Sequence, residues 1–184
     1  IERECRDKAA PLTEADFSAI EPVFDSLDGQ AFNYRGKSYA LPLLGEHQLK
    51  NAAAVLECVD VLRSTGWDIS PEALERGLYA VSWPARFELV SDSPYFVVDG
   101  GHNPQCAETV RDNLLRYFPR RRRVLLIGVL ADKDYKSLTA ILDDAADEYI
   151  CVSPESERAL PAQALAEHLC VYGKPVRAIE RIGE

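Results

Sequence analysis

The fold of this chain is decided by the ten-residue stretch YFVVDGGHNP, residues 95–104. Its first four residues are apolar and favour extended backbone, which predicts a strand. Asp99 ends that strand, two glycines allow a tight turn, and His102 and Asn103 stand just ahead of a predicted helix. Open α/β sheets bind their ligands beyond the carboxyl ends of strands. The stretch therefore predicts an α/β domain with a candidate ligand site in this loop.

Strands and helices alternate on both sides of this stretch, from Pro84 onward. Such alternation is typical of a mostly parallel sheet with helices on both faces. The continuous apolar run Val124-Leu125-Leu126-Ile127 predicts that its strand is fully buried. The predicted strands are 87–91, 95–98, 123–129, 148–152 and 176–179, and the predicted helices are 105–117, 135–146 and 161–169.

The residues before Pro84 predict a separate unit. Its first 30 residues are polar and acidic, and they indicate a connector with a short strand or helical turn and no clear fold. The next elements are a β-hairpin at 31–35 and 38–43 around Gly36-Lys37, an amphipathic helix at 46–63, and a helix capped by Ser70 that ends at about residue 80. A domain boundary near Pro84 therefore divides the chain into units 1–83 and 84–184.

Composition excludes several classes of protein. The chain has 184 residues, is 47% apolar and carries a formal charge of −9, so a nucleic acid is excluded as the main partner. The basic run 120–123 is interpreted as a solvated loop. The five cysteines show no C-x-x-C spacing, which indicates reduced thiols and no zinc site. With neither a long apolar run nor a secretion signal, we expect a cytoplasmic protein that does not enter a membrane.

Three short stretches carry candidate functional residues: GEHQLKNA at 45–52, WPARFE at 83–88 and VDGGHNP at 98–104. A fourth is the loop at 128–134, which contains Asp132-Lys133-Asp134. The glycines do not form G-x-G-x-x-G, so a dinucleotide-binding fingerprint is not supported.

Each candidate residue also has an ordinary structural interpretation. Asp99 and Asn103 have the residue types of a turn and a helix cap. Arg86 and Asn51 are equally compatible with solvent-facing positions, since such residues are mostly exposed. His47 has no His or Cys partner at a metal-ligand spacing, which favours a hydrogen-bonding role at the start of its helix. Taken singly, these residues leave both interpretations open.

Taken together, the motifs G-x-H-Q-x-x-N-A, W-P-x-R-x-E, D-G-x-H-N-P and D-K-D resemble, in order and approximate spacing, the folylpolyglutamate synthase and dihydrofolate synthase family of the Mur ligase superfamily. The resemblance runs from about Tyr39 to Val152. Ala85 replaces a usual glycine and Gly101 replaces a usual alanine. Both changes are small, and we expect the geometry to survive them, although a backbone that needs positive φ would resist alanine at position 85.

The resemblance implies an ATPase-like domain followed by a Rossmann-like domain, with ATP bound between them. Residues 1–83 would end the first domain, and residues 84–184 would form the second, without its last strands. The chain contains no G-x-x-x-x-G-K-[ST] phosphate loop and no methionine, so we expect it to be part of a longer, monomeric enzyme. Its substrates would be ATP, folate or dihydropteroate, and L-glutamate, with Mg²⁺ held by upstream ligands.

The same resemblance implies roles for four residues of this chain. It implies no metal ligand among them. Arg86 would contact the ATP phosphates, Asp99 the ribose hydroxyls, and Asn51 the adenine side of the cleft. His102 would lie beside the phosphate chain, and Arg86 and His102 would act in catalysis. We expect the isolated chain to be inactive. One alternative is a noncatalytic nucleotide-binding or protein-docking α/β module. Another is an NAD-dependent reductase domain, which the missing glycine fingerprint disfavours.

Overall fold

A computed structural model describes residues 1–179, and the chain forms two compact units, residues 1–97 and residues 98–184. The first unit begins with a short helix and a three-stranded sheet, followed by two helices and a two-stranded sheet whose second strand ends at the boundary. Its elements are α1 (Glu2–Asp7), a 3₁₀ turn (Phe17–Ala19), β1 (Ile20–Ser26), β2 (Gly29–Tyr34), β3 (Lys37–Leu41), α2 (Glu46–Ser64), α3 (Pro71–Tyr79), β4 (Glu88–Asp92) and β5 (Tyr95–Val98).

The predicted hairpin is present as β2 and β3, which pair in antiparallel register from Gln30 opposite Leu41 to Tyr34 opposite Lys37. Its turn is formed by Arg35 and Gly36, with φ of 47° and 77°, one residue earlier than predicted. Positive φ at both central residues suits the twist of a two-residue hairpin. Strand β1 pairs antiparallel with β2 and lies at the edge of this sheet. It belongs to the first 30 residues, for which the sequence predicts no clear fold.

The core of the first unit lies between this sheet and α2. Apolar residues of α2 recur at helical spacing, as predicted, and bury one face of the helix. Ser70 caps α3 by accepting a hydrogen bond from the backbone N–H of Ala73 at 3.1 Å, also as predicted. The buried cluster consists of Phe32, Tyr34, Leu41, Leu49, Ala52, Ala53, Leu56 and Leu78.

A buried carboxylate ties β2 to α2. Glu57 is 7% exposed, and its Oε1 accepts a hydrogen bond from the Tyr34 hydroxyl at 2.7 Å and pairs with the Arg35 guanidinium at 3.0 Å. Burial raises the pKa of Tyr34, and the bond to Glu57 raises it further. Because a buried charge is costly unless it is paired, these two contacts fix the orientation of α2 against the sheet.

The second unit is a parallel sheet flanked by helices, so the predicted mixed α/β class is confirmed. The strands lie in the order β6-β7-β8, with Leu125 opposite Tyr149 and Cys151 opposite Ala178. Its elements are α4 (Pro104–Tyr117), β6 (Val124–Ile127), α5 (Tyr135–Leu142), a 3₁₀ turn (Asp143–Ala145), β7 (Glu148–Val152), α6 (Ala162–Leu169), a 3₁₀ turn (Cys170–Tyr172) and β8 (Val176–Ile179).

Strand β6 corrects the prediction of a fully buried strand. Leu125 and Ile127 pack against helix residues of the core, but Val124 is 45% exposed and Leu126 is 57% exposed. Successive side chains of a strand point to opposite faces, so a continuous apolar run can have only one face covered. Burial of the second face depends on what packs there, which the run itself does not encode.

The basic run before β6 lies at the surface, as predicted, since Arg120, Arg121 and Arg122 are exposed. Two of its arginines also contact neighbouring elements. Arg122 forms an ion pair with Glu148, a residue that is only 7% exposed. Arg123 donates from Nε to the carbonyl oxygen of Ala145 at 2.6 Å and from Nη1 to that of Phe118 at 3.1 Å. These two arginines therefore connect the entrance of β6 to β7 and to the preceding helix end.

Among the helices described in residues 1–179, none has the length and apolar character needed to span a membrane.

Candidate functional site

The first candidate motif begins at Gly45, the residue that caps α2. Its φ of 100° lies in the region that favours glycine, and its carbonyl oxygen accepts the N–H of Gln48 at 2.9 Å. Glycine has no side chain to cap the helix, so backbone and distant groups must hold this turn. One such group is Gln30 of β2, whose Nε2 donates to the carbonyl oxygens of Leu43 at 2.6 Å and of Gly45 at 3.1 Å.

One turn further along α2, two amides are joined side by side. Gln48 is 7% exposed, and its Oε1 accepts a hydrogen bond from Nδ2 of Asn51 at 3.0 Å. Asn51 itself is exposed, so this bond orients an amide at the surface of the helix. The arrangement can present both a donor and an acceptor to a planar heterocycle such as a purine.

The second motif forms a tight turn around Arg86. Ala85 has φ of 56° and Phe87 has φ of 47°, and the Ala85 N–H donates to Oε2 of Glu88 at 2.8 Å. Positive φ at position 85 is a conformation that glycine adopts without cost, so alanine is strained here. The turn leaves the Arg86 guanidinium exposed, 5.8 Å from the centre of the Trp83 ring.

The third motif lies in the second unit, in the loop between β5 and α4. Oδ1 of Asp99 accepts the Gly101 N–H at 2.6 Å, and Oδ1 of Asn103 accepts the Cys106 N–H at 2.8 Å, which caps α4. His102 is exposed, and its Nδ1 can donate to the Gly100 carbonyl oxygen at 3.2 Å. The turn role of the Asp99 carboxylate and the cap role of the Asn103 amide are therefore present, and Asp99 and His102 lie on one short loop.

Gly101 packs closely in this loop. A Cβ at this position would lie 2.9 Å from Oδ1 of Asp99 and 2.9 Å from Cβ of Cys106, closer than side chains ordinarily approach. The absence of a side chain at Gly101 thus lets the Asp99 carboxylate fold back onto the loop.

The fourth stretch uses both of its acids in structural contacts. Asp132 forms an ion pair with Arg158, and the hydrogen bond from that guanidinium lowers the pKa of Asp132. Asp134 caps α5 by accepting the Ser137 N–H at 3.1 Å, and hydrogen bonding to Ser137 lowers its pKa. Both carboxylates therefore stabilise the loop that follows β6 and the start of α5.

The described residues 1–179 contain no group of three or more His, Cys, Asp and Glu side chains that could hold a metal ion. The implied Mg²⁺ thus finds no such ligand set in this part of the chain, and we assign it no ligand here.

Asn51 and Arg86 lie in the first unit, and Asp99 and His102 lie in the second. Their roles and their convergence on one nucleotide stay predictions. Sequence reasoning missed Gln30, because a glutamine in a strand fifteen positions before Gly45 belongs to no local motif. It also missed the hydrogen bond between Gln48 and Asn51, although their spacing of three on a helix is a recognisable signal.

The parallel sheet β6-β7-β8 and its flanking helices define an α/β domain. The loop at 98–104 follows β5, which pairs with β4 in a two-stranded sheet, whereas the sequence predicts β5 as a strand of the parallel sheet. Residues 85–184, more than half of the chain, match the family model of the Mur ligase, glutamate ligase domain. The chain belongs to the Mur ligase family, and the predicted resemblance is confirmed.

The chain is similar to folylpolyglutamate synthase of Lacticaseibacillus casei, with 36% identity over 140 residues, which cover 72% of this chain and 32% of that protein. It superposes on Mycobacterium tuberculosis folylpolyglutamate synthase complexed with ADP with a TM-score of 0.84 at 30% identity, covering 97% of this chain and 41% of that one. For E. coli FolC in complex with DHPP and ADP, the TM-score is 0.77 at 30% identity, covering 98% and 41%. The chain thus spans about a third of the length of the curated relative.

Proposed function

We propose that this chain forms the carboxyl-terminal portion of an ATP-dependent ligase that adds L-glutamate to a folate. The observation that carries the proposal is that 97–98% of the chain superposes on folate ligases solved with ADP. In the proposed reaction, a carboxylate of the folate or dihydropteroate attacks the γ-phosphorus of ATP, giving an acyl phosphate and ADP. The glutamate amine then attacks the acyl carbon, the amide bond forms, and inorganic phosphate leaves.

Charge stabilisation is the main requirement of both steps. The exposed guanidinium of Arg86 has the planar geometry that binds phosphate oxygens through two parallel hydrogen bonds. We propose that it contacts the ATP phosphates and that His102 lies beside them. Mg²⁺ bound with ATP would supply further positive charge to the transferring phosphoryl group.

Nucleoside recognition is assigned to the two other residues. The Asp99 carboxylate is held in place by the Gly101 N–H, and a fixed carboxylate is a suitable acceptor for two ribose hydroxyls. Asn51, oriented by Gln48, would face the adenine. We also propose that residues 1–83 end the ATP-binding domain and that residues 84–184 form the closing domain, a boundary earlier in the chain than the division between the two compact units after Val97.

The sharpest test is Arg86→Ala in the complete ligase. We expect the rate of acyl phosphate formation, measured as folate-dependent release of ADP in a single turnover, to fall by orders of magnitude while the circular dichroism spectrum is unchanged. Arg76→Ala is the matched control, because Arg76 is another exposed arginine of the first unit. Unchanged turnover in Arg86→Ala would remove this residue from the site.

A second test uses the 184-residue chain alone. We expect it to add no glutamate to a folate and to bind ATP weakly, since it contains no phosphate loop. Glutamate transfer by this chain alone would contradict the proposal. If the complete protein binds ATP but forms no amide with either folate or dihydropteroate, the noncatalytic nucleotide-binding module is favoured instead.

A further inference from the structure

Gln30 is a buried amide with an unusual task for a strand residue. It is 4% exposed in β2, and its Nε2 donates to two carbonyl oxygens of the loop that leads into α2, those of Leu43 and Gly45. A buried amide is costly unless it is hydrogen-bonded, so both bonds are required to keep it there. The loop is therefore held from outside by a residue thirteen to fifteen positions earlier in the chain.

The loop needs such a support because its helix begins at a glycine. Gly45 is the N-cap residue of α2, and its φ is 100°. As a glycine it has no side chain that could cap the helix or stabilise this conformation. Its carbonyl oxygen accepts both the Gln48 N–H and the Gln30 amide. Gln30 therefore orients the same peptide group that accepts the first hydrogen bond of the helix.

Gln48 connects that peptide group to the candidate nucleotide residue, because its backbone N–H donates to the Gly45 carbonyl oxygen. Gln48 is buried, and its Oε1 holds the Asn51 amide at 3.0 Å. We infer that Gln30 is a positioning residue for the nucleotide: through Gly45 and Gln48 it sets the direction of the Asn51 amide toward the adenine. The inference rests on the proposed function, in which Asn51 contacts the adenine side of ATP.

The test is Gln30→Leu in the complete ligase, which keeps a similar volume and removes both hydrogen bonds. We expect the KM for ATP and the Kd for ADP, the latter measured by calorimetry, to rise about tenfold, equivalent to about 1.4 kcal/mol. We expect kcat and the KM for glutamate to change by less than about twofold, because Arg86 and His102 are unaltered. Gln30→Asn, one methylene shorter, should shift the ADP affinity in the same direction.

A purely structural role for Gln30 predicts a different pattern. Leu78→Ala removes a buried side chain of the same core cluster and serves as the control for lost stability. If Gln30→Leu, like this control, lowers only the fraction of active enzyme and leaves the Kd for ADP unchanged, the inference is overturned. Wild-type ADP affinity in both Gln30 variants would have the same meaning.

A double-mutant cycle with Asn51→Ala completes the experiment. If Gln30 acts through Asn51, the double variant should bind ADP no more weakly than Asn51→Ala alone. Additive losses would overturn the proposed route. Since ADP affinity is measured without folate or glutamate, a failure of this inference is distinguishable from a failure of the proposed ligation reaction.

Discussion

The two loops that carry the nucleotide candidates are stabilised in different ways. The loop before α2 in the first unit is held by Gln30, which is distant in sequence. The loop after β5 in the second unit contains hydrogen bonds between residues two or three positions apart, in which the Gly101 N–H donates to Asp99 and the Cys106 N–H donates to Asn103. A short motif is sufficient to encode the hydrogen bonds of the loop after β5. The hydrogen bonds from Gln30 form only when the sheet pairs in its correct register.

Among the substitutions in the loop after β5, Gly101→Ala is expected to lower the stability most. The new Cβ would lie 2.9 Å from both Oδ1 of Asp99 and Cβ of Cys106, so the carboxylate or the start of α4 must move. Overpacking of this kind costs about 1–3 kcal/mol. We expect a lower free energy of unfolding of the second unit in urea, and weaker ADP binding by the complete ligase.

Gly77→Ala is the matched control, since a Cβ there meets nothing within 4 Å and the residue lies inside α3. Alanine in a helix is more favourable than glycine by about 1 kcal/mol, so the same substitution should stabilise the first unit. Both tryptophans, Trp67 and Trp83, lie in residues 1–97, so their fluorescence reports the first unit separately. A stabilised second unit in Gly101→Ala would show that a Cβ at position 101 is accommodated without a clash.

Asn103→Ala tests the other local bond of the same loop. Loss of the N-cap acceptor leaves the Cys106 N–H without its partner and should cost about 1 kcal/mol of stability. We expect the urea midpoint followed by circular dichroism to fall for the second unit, while tryptophan fluorescence of the first unit is unchanged. Asn103→Asp, which keeps a capping oxygen, should retain most of the stability; an equal loss in both variants would contradict the capping role.

Ala85→Gly extends the comparison to a third loop, in which a local bond coexists with strain. Alanine at φ of 56° is disfavoured, and glycine adopts this conformation without a side-chain clash. The gain is reduced by the greater entropy of glycine in the unfolded chain, so we expect stabilisation by less than about 1 kcal/mol. Tryptophan fluorescence in urea measures it, and destabilisation would show that position 85 does not need positive φ.

What could be predicted from the sequence follows the same division between local and distant contacts. Helix α2, the Ser70 cap and strands β7 and β8 were predicted, because periodicity and capping residues act over a few positions. Strand β1 could be predicted only as a short strand or helical turn within the first 30 residues, since its mostly exposed residues show no alternation and it is stabilised by pairing with β2. The exposed face of β6 was predicted as buried because an apolar run does not encode what covers it.

The candidate site divides in the same manner. The turn at Asp99, the cap at Asn103 and the positive φ at Ala85 were within reach of motif reasoning. The two bonds from Gln30 were not, because they depend on the packing of β2 beside the loop that begins α2.

The smallest effects are expected for substitutions of Asp132 and Asp134, the two acids of the loop at 128–134. Asp132 pairs with Arg158, 26 positions away, whereas Asp134 caps a helix through Ser137, three positions away. The bonds hold the pKa of each carboxyl below its ordinary value of 3.8. A lowered folded pKa means that the stabilisation is present at neutral pH and is lost as the pH falls from about 3.8 through the folded value.

Asp132→Ala and Asp134→Ala should therefore each lower the melting temperature slightly at pH 7. At about 1 M salt the screening length is only about 3 Å, so the loss in Asp132→Ala should vanish, while that in Asp134→Ala should remain because a helix cap is a hydrogen bond. Near pH 2 the loss in Asp132→Ala should again disappear. A protonated Asp134 keeps an oxygen that can accept the Ser137 N–H, so only the charge-dependent part of its stabilisation should be lost. Equal salt dependence in the two variants would mean that the distant ion pair and the local cap are not energetically distinct.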